Sequence, residues 1–248
     1  MASRPRAAIW YRPPQRRSQI VSRVSENLEK SYGTPRFGNP QDPVDDLVYV
    51  ILSTKTSLSM ARAVYKTLRK TFRTWEDLLG SPLPKLKRIL RPAGLSNVKS
   101  KQIYQALQKI RSDFGACRLD SLRATSESDA QTYLTSLPGV SEKVAKCVMM
   151  YTLGFRVMPV DTHIYRVAHR LGWTAKKRPD QCHKELESLI PPRRRYAFHV
   201  SCMAHGQQVC RPSHPDCENC AISRYCEFYR GRMAARGRKA RTSETHPE

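Results

Sequence analysis

The sequence has little negative charge for its length. Its 248 residues include 21 Asp and Glu against 44 Lys and Arg, which gives a formal net charge of +23. In a compact chain, so many positive charges repel one another and oppose folding. A polyanionic partner therefore explains the charge better than solubility alone, and nucleic acid is the first candidate.

Long apolar runs are also missing. No stretch of about 18 apolar residues occurs, so the sequence predicts no membrane span and no membrane partner. The N-terminal segment is basic and lacks the apolar core of a secretory signal. We therefore expect an intracellular monomer, in which clustered cysteines bind a metal or redox group rather than forming disulfides.

Alternating strand patterns are nearly absent, and helical periodicity takes their place. Between residues 58 and 72, apolar side chains recur at spacings of three and four residues. The sequence therefore predicts an all-α fold. Its helices are expected near residues 44–52, 58–72, 75–79, 84–90, 99–110, 129–137, 142–153, 162–171, 180–190 and 193–205.

Both ends of the chain are basic. The first 25 residues hold six Arg and no acid, and residues 230–241 hold six basic residues in twelve. This composition favours flexible arms, residues 1–17 and 230–248, that contact phosphates without reading base sequence. Solvated tails without a partner are the alternative.

Four of the eight cysteines lie close together near the C-terminal end. Cys210, Cys217, Cys220 and Cys226 have the spacing C-x6-C-x2-C-x5-C. Four thiolates this close in sequence can converge on one centre. A four-thiolate zinc site is the alternative, but such sites usually pair two short spacers across a longer loop. The spacing therefore favours an iron–sulfur cluster.

A glycine-containing turn at residues 137–141 joins two of the predicted helices. Amide groups at the start of the second helix lack partners within it, so they suit a phosphate oxygen. Lys143 lies in the first turn of that helix, where the helix dipole favours the neutral, nucleophilic amine. The alternative is an ordinary helix–helix turn followed by an exposed lysine.

Asp161 directly precedes the predicted helix at residues 162–171. A carboxylate fixed at the end of an element is suited to catalysis, and it is equally suited to capping the helix. The two roles are compatible because both need a side chain that is held in place.

In this order, the features resemble the endonuclease III family of helix-hairpin-helix DNA glycosylases. The resemblance extends from about residue 40 to residue 226. The similar segments are VILSTKTS (50–57), AGLSNVKSKQI (93–103), LPGVSEKVA (137–145), PVDTHIYRVAHRLGW (159–173) and the four-cysteine loop.

The resemblance implies two helical domains with duplex DNA bound in a cleft between them. The first is a six-helix barrel with the helix-hairpin-helix, at residues 36–155. The second is an iron–sulfur cluster domain that combines residues 18–35 with residues 156–229.

The resemblance also implies roles for the candidate catalytic and metal-binding residues. Lys143 matches the family's Schiff-base lysine, and Asp161 matches its catalytic carboxylate. The four cysteines of the C-terminal loop, Cys210, Cys217, Cys220 and Cys226, match the ligands of a [4Fe–4S] cluster.

Four further positions match residues that contact DNA in the family. Gly139 and Ser141 lie where hairpin amides grip the strand. Lys55 falls where a side chain fills the gap left by a flipped nucleotide, and Leu95 resembles the residue that wedges the opposite side of the stack.

Two of these positions depart from the family pattern. The hairpin has Ser141 where the family usually has a second glycine. If that position needs a positive φ, serine strains the turn by about 1 kcal/mol. Lys55 replaces a glutamine that is common in members acting on oxidised pyrimidines, so the substrate range is open.

The implied activity is that of a base excision repair DNA glycosylase with abasic-site lyase activity, acting on damaged pyrimidines in duplex DNA. Its substrate would be DNA with a damaged base or an abasic site, with the nucleotide rotated out of the duplex. The alternatives are a monofunctional glycosylase for mismatched or modified bases and a non-catalytic DNA-binding protein.

Overall fold

The computed structural model describes residues 13–243, with side chains described up to residue 235. This part of the chain contains helices and no strand, which confirms the all-α fold. The α-helices are α1 (Pro14–Tyr32), α2 (Pro43–Ser53), α3 (Leu58–Thr71), α4 (Trp75–Leu79), α5 (Leu83–Leu90), α6 (Ser96–Phe114), α7 (Glu127–Ser136), α8 (Glu142–Tyr151), α9 (Thr162–Arg170), α10 (His183–Leu189), α11 (Arg195–Gln208) and α12 (Glu227–Ser243). Within residues 13–243, no helix is long and apolar enough to cross a membrane.

The chain divides into two compact units. The central unit, residues 36–159, contains α2 to α8. The terminal unit joins the described residues up to Pro35 to those from Val160 onward, and it contains α1 and α9 to α12.

Helix α2 is at the centre of the central unit's core. Asp42 caps it by accepting hydrogen bonds from the amides of Val44 and Asp45, and Pro43 suits the first turn because its φ is already helical. Val44 and the segment 46–52 are buried, and α2 packs against α3, α6 and α8. A helix that is buried on most sides can hold its neighbours in fixed positions.

In the terminal unit, α11 packs against both α1 and α9. Helix α1 buries Val21, Val24 and Leu28, which form one stripe at helical spacing. Trp173 stacks on Phe198 of α11 with ring centroids 5.8 Å apart. These contacts tie the N-terminal helix to segments more than a hundred residues away in sequence.

The structure differs from the sequence prediction at both basic arms. Residues 14–17 belong to α1, and residues 230–243 continue α12. Pro14 starts α1 in a first-turn position that proline favours. In α12, alanine and arginine propagate a helix well even though the segment has little apolar surface. Residues 1–12 and 244–248 of the predicted arms lie outside the described part of the chain.

Candidate active site and metal centre

The hairpin between α7 and α8 depends on one glycine. The amide of Val140 donates to the carbonyl of Leu137 at 3.1 Å, and Gly139 has a φ of +81°. A Cβ atom at residue 139 would lie 2.6 Å from the side chain of Gln102. Both the backbone conformation and the neighbouring side chain therefore require glycine here.

Ser141 is unstrained, because the position does not need the positive φ on which the expected penalty depended. Its φ is −79° and its ψ is 167°, which is ordinary extended backbone. The hydroxyl caps α8 by accepting a hydrogen bond from the Val144 amide at 3.4 Å. The left-handed conformation of the hairpin is confined to Gly139, so a second glycine is unnecessary. Both residues are exposed, which leaves the turn accessible from outside.

Two lysines near the start of α8 have different surroundings. Lys143 is half-buried in the first turn, as expected from the sequence. Lys146 is 2% exposed, and its ammonium lies 3.3 Å from the carboxylate of Glu142. Lys146 therefore forms an ion pair within its own helix, whereas the positive charge of Lys143 lowers the pKa of a residue in α2.

That residue is Asp46, a buried carboxylate that the sequence analysis missed. Its Oδ1 accepts a hydrogen bond from Asn39 Nδ2 at 2.6 Å, and Oδ2 has no hydrogen-bond partner among the described residues. Burial raises the pKa of Asp46 to about 7, while the Asn39 hydrogen bond and the positive charge of Lys143 oppose that rise. An acid within the apolar sequence PVDDLVYVIL was the available signal.

Lys55 and Leu95 lie in two exposed loops of the central unit, and both have left-handed backbone. Their φ values are +53° and +52°, which few residues other than glycine adopt. Leu95 is 54% exposed. The hydroxyl of Thr56 donates to the carbonyl of Ala93 at 2.7 Å, so a direct hydrogen bond joins the two loops. The structure thus joins the two loops that carry Lys55 and Leu95, which are 40 positions apart in the sequence.

Asp161 caps α9 in the terminal unit. Its Oδ1 accepts a hydrogen bond from the Ile164 amide at 2.8 Å, so the capping interpretation is correct. Its negative charge also contributes, after burial, to raising the pKa of the nearby Cys202 thiol. The catalytic role of Asp161 stays a prediction, as does that of Lys143 in the central unit.

The four clustered cysteines, Cys210, Cys217, Cys220 and Cys226, line one pocket in the terminal unit. Apolar side chains that include Val167, Leu171 and Ile222 complete its wall. Burial raises the pKa of Cys220 to about 11, and the charges of the other three thiols act in the same direction. The thiols are therefore close enough to repel one another when they are deprotonated.

Nitrogen donors and a backbone carbonyl surround these sulfur atoms. Arg170 Nη1 donates to the Sγ of Cys210 at 3.2 Å, and Arg232 Nη1 donates to the Sγ of Cys217 at 3.7 Å. His205 Nε2 lies 3.6 Å from the Sγ of Cys220, and the Sγ of Cys226 donates to the Arg170 carbonyl at 3.3 Å. The guanidinium groups of Arg170 and Arg232 thus place positive charge beside two of the four sulfur atoms.

Comparison with known proteins identifies the family. The model of HhH-GPD superfamily base excision DNA repair proteins matches residues 48–192, which is more than half of the chain. The chain belongs to this superfamily.

Individual relatives within this superfamily are endonuclease III proteins. The endonuclease III of Rickettsia felis is 32% identical over 213 residues, covering 86% of this chain and 96% of the relative. A non-covalent endonuclease III–DNA complex matches with a TM-score of 0.77 and 25% identity over 88% of this chain and 98% of that one. A trapped endonuclease III–DNA covalent intermediate matches with a TM-score of 0.76 and 25% identity over 87% and 98%.

These comparisons confirm the predicted membership of the endonuclease III family and the enzyme class, a DNA glycosylase and abasic-site lyase. A non-catalytic DNA-binding protein and a monofunctional glycosylase are not favoured. The excised base and the roles of individual residues stay predictions.

Proposed function

We propose that this protein binds duplex DNA, removes a damaged pyrimidine and then cleaves the strand at the abasic site. The observation that carries this proposal is the start of α8, where an exposed glycine turn leads directly to a half-buried lysine. A phosphate-binding turn beside a nucleophilic amine is what a lyase acting on a DNA backbone needs.

In the proposed reaction, Lys143 is the nucleophile and the target nucleotide is rotated out of the duplex. The amine attacks the anomeric carbon of the sugar as the bond to the base breaks, and the base leaves with a proton. Asp161 stabilises the positive charge that develops on the sugar and assists the proton transfers. The sugar ring then opens: the nitrogen lone pair forms the imine as the bond from the anomeric carbon to the ring oxygen breaks, and that oxygen takes up a proton. The imine acidifies the adjacent sugar C–H, and loss of that proton expels the 3′ phosphate.

The hairpin and the net charge supply binding. Gly139 and Ser141 expose the turn, and the first amides of α8 point along the helix axis toward a phosphate oxygen. The charge of +23 attracts the duplex before any base is recognised. We assign Lys55 to the gap left by the rotated nucleotide and Leu95 to the opposite side of the stack.

We also propose that Cys210, Cys217, Cys220 and Cys226 hold a [4Fe–4S] cluster. The four thiols line one pocket, and their C-x6-C-x2-C-x5-C spacing suits a multinuclear centre better than the paired short spacers of a four-thiolate zinc site. The cluster would act as a structural staple for this loop.

Borohydride trapping on a panel of duplexes, each with one modified base, tests the reaction. The wild type should form a covalent product with a damaged-pyrimidine duplex. Lys143→Gln should abolish trapping and strand cleavage but keep binding to an abasic site, because glutamine has no basic amine. Lys66→Gln, on an exposed position of α3, should react normally. Trapping by Lys143→Gln would assign the nucleophile to another residue, and trapping with mismatched bases alone would overturn the damaged-pyrimidine assignment.

Asp161→Asn separates catalysis from capping. Asparagine caps a helix about as well as aspartate, so the fold should be preserved. Without the negative charge, single-turnover base release should fall about 100-fold or more. Base release close to the wild-type rate, with normal thermal stability, would leave Asp161 with the capping role alone.

A further inference from the structure

Lys99 is a buried lysine near the start of α6, with 3% of its surface exposed. Its ammonium donates to the carbonyl of Leu52 at 2.7 Å and to the hydroxyl of Thr56 at 2.6 Å. Burying an ammonium is costly unless hydrogen bonds compensate for the lost water. These bonds are directed at the end of α2 and at the loop that follows it.

The hydroxyl of Thr56 extends these hydrogen bonds to a second loop. A hydroxyl accepts through its lone pairs and donates its single proton. Thr56 accepts from the Lys99 ammonium and donates to the Ala93 carbonyl at 2.7 Å. One short chain of hydrogen bonds therefore runs from α6 through the loop after α2 to the loop before α6.

Lys99 also lies in the first turn of α6, close to the second loop. Its amide donates to the carbonyl of Leu95 at 2.9 Å, the ordinary hydrogen bond of a first helical turn. Lys55 directly precedes Thr56, and both Lys55 and Leu95 have positive φ. Left-handed backbone at residues other than glycine persists only where the surrounding structure imposes it. Lys99 contacts both loops that require this support.

We propose that Lys99 is a positioning residue that fixes Lys55 and Leu95 relative to each other, so that both side chains enter an opened base pair as one preformed unit. The inference rests on the proposed function, which gives those two residues their roles at the DNA. Preformed geometry spares the ordering cost that two mobile loops would incur on binding. The advantage arises only where a nucleotide has left the stack, because undamaged duplex offers no gap to fill.

The test compares the affinity of the full chain for a duplex containing a stable abasic-site analogue with its affinity for undamaged duplex. A 2-aminopurine base next to the analogue reports unstacking by fluorescence. Lys99→Met keeps the side-chain length but removes both hydrogen bonds, so the preference for the abasic duplex should fall about tenfold. The fluorescence rise should fall with it, while affinity for undamaged DNA changes less than about twofold. Lys101→Met, exposed on the same helix, is the matched control.

The paired variants Thr56→Val and Thr56→Ser give a second test that does not disturb the buried charge. Valine has the shape of threonine without the hydroxyl and should reproduce the loss of preference, whereas serine keeps the hydroxyl and should restore it. This pair decides the matter if Lys99→Met fails to fold. An unchanged preference in Thr56→Val, or an equal loss of affinity for both duplexes, would overturn the inference.

Lys55→Ala and Leu95→Ala separate this inference from the proposed function. If neither changes the preference of the wild type, the DNA-contacting roles themselves are wrong. If both lower it while Lys99→Met does not, only the positioning role fails. In the double variant Lys55→Ala/Lys99→Met, the combined loss should be smaller than the product of the two single losses, because Lys99 acts through Lys55.

Discussion

The hairpin of the central unit and the cysteine loop of the terminal unit are stabilised in opposite ways. The hairpin has its own turn and its own helix cap at Ser141, and Gly139 supplies the positive φ of the turn. The cysteine loop, residues 210–226, has one buried residue, Ile222, and its only helical segment is one short turn at Ser223–Tyr225. The contacts of the chain itself therefore fix the first site, whereas we expect the second to depend on what its four thiols bind.

The pKa values of the cysteines show why a bound centre matters. Burial and mutual repulsion raise the pKa of Cys220 and of Cys226, so without a metal these thiols stay protonated at neutral pH. A cationic centre bound by the four thiolates would replace those protons, and its binding free energy would add to the folding free energy. The hairpin has no such dependence.

Removing one ligand should have the largest effect. Cys217→Ala should unfold the terminal unit, because structural metal sites contribute on the order of 10 kcal/mol to small domains. Proteolysis should then cut residues 160–243 while residues 36–159 stay resistant, and the iron content and visible absorption should be lost. Cys182→Ala, which removes a buried cysteine outside the loop, is the control and should cost only a small cavity. Equal resistance of both units in Cys217→Ala would show that the loop stands without its ligand.

A buried acid lowers the free energy of unfolding of the central unit when the acid is ionised. The pKa of Asp46 in the folded chain is about 7, well above its ordinary value of 3.8. The favourable contribution of the protonated acid is complete below pH 4 and is lost as the pH rises through 7. At pH 8 the wild type therefore bears a cost of a few kcal/mol, because each tenfold change in the acid dissociation constant corresponds to about 1.4 kcal/mol.

Asp46→Asn should therefore be more stable than the wild type at pH 8, and the difference should shrink toward pH 4. Urea unfolding at a series of pH values measures this difference. A matched variant, Asp120→Asn, changes an exposed acid and should show little pH dependence. A difference between Asp46→Asn and the wild type that is constant from pH 4 to pH 8 would contradict a titrating carboxylate at this site.

Much of the fold and part of the site could be predicted from the sequence. Helical periodicity located the segments that became α2, α3 and α8, because their apolar stripes are long and regular. The same reasoning predicted no helix at α1, because the basic charge of the chain end was interpreted as a flexible arm even though Val21, Val24 and Leu28 lie close by. A stripe of three apolar residues at helical spacing was nevertheless present.

The parts that could not be predicted depend on distant contacts. Lys99 and Lys101 lie two residues apart on one amphipathic helix, and only the fold shows that the first is buried while the second is exposed. Thr56 likewise gives no sign in the sequence that it joins two loops. The sequence left the conformation of Ser141 open, because the family pattern of two glycines does not show which of them needs a positive φ.

The smallest effect is expected in the hairpin, where Gly139→Ala is compared with a glycine variant at the end of α6. Gly139→Ala should destabilise the chain by about 1–3 kcal/mol, since alanine resists the positive φ and its Cβ meets Gln102. Gly115→Ala, with a φ of +75° and nothing within 4 Å of the added carbon, should show the backbone cost alone. The difference in urea unfolding free energy between the two variants measures the clash with Gln102. Combining Gly139→Ala with Gln102→Ala should narrow that difference without removing it, because the Cβ of residue 102 would still lie 2.7 Å from the added carbon. Because the chain itself builds the hairpin, neither variant should change the iron content. Loss of iron in Gly139→Ala would mean that the two sites do not fold independently.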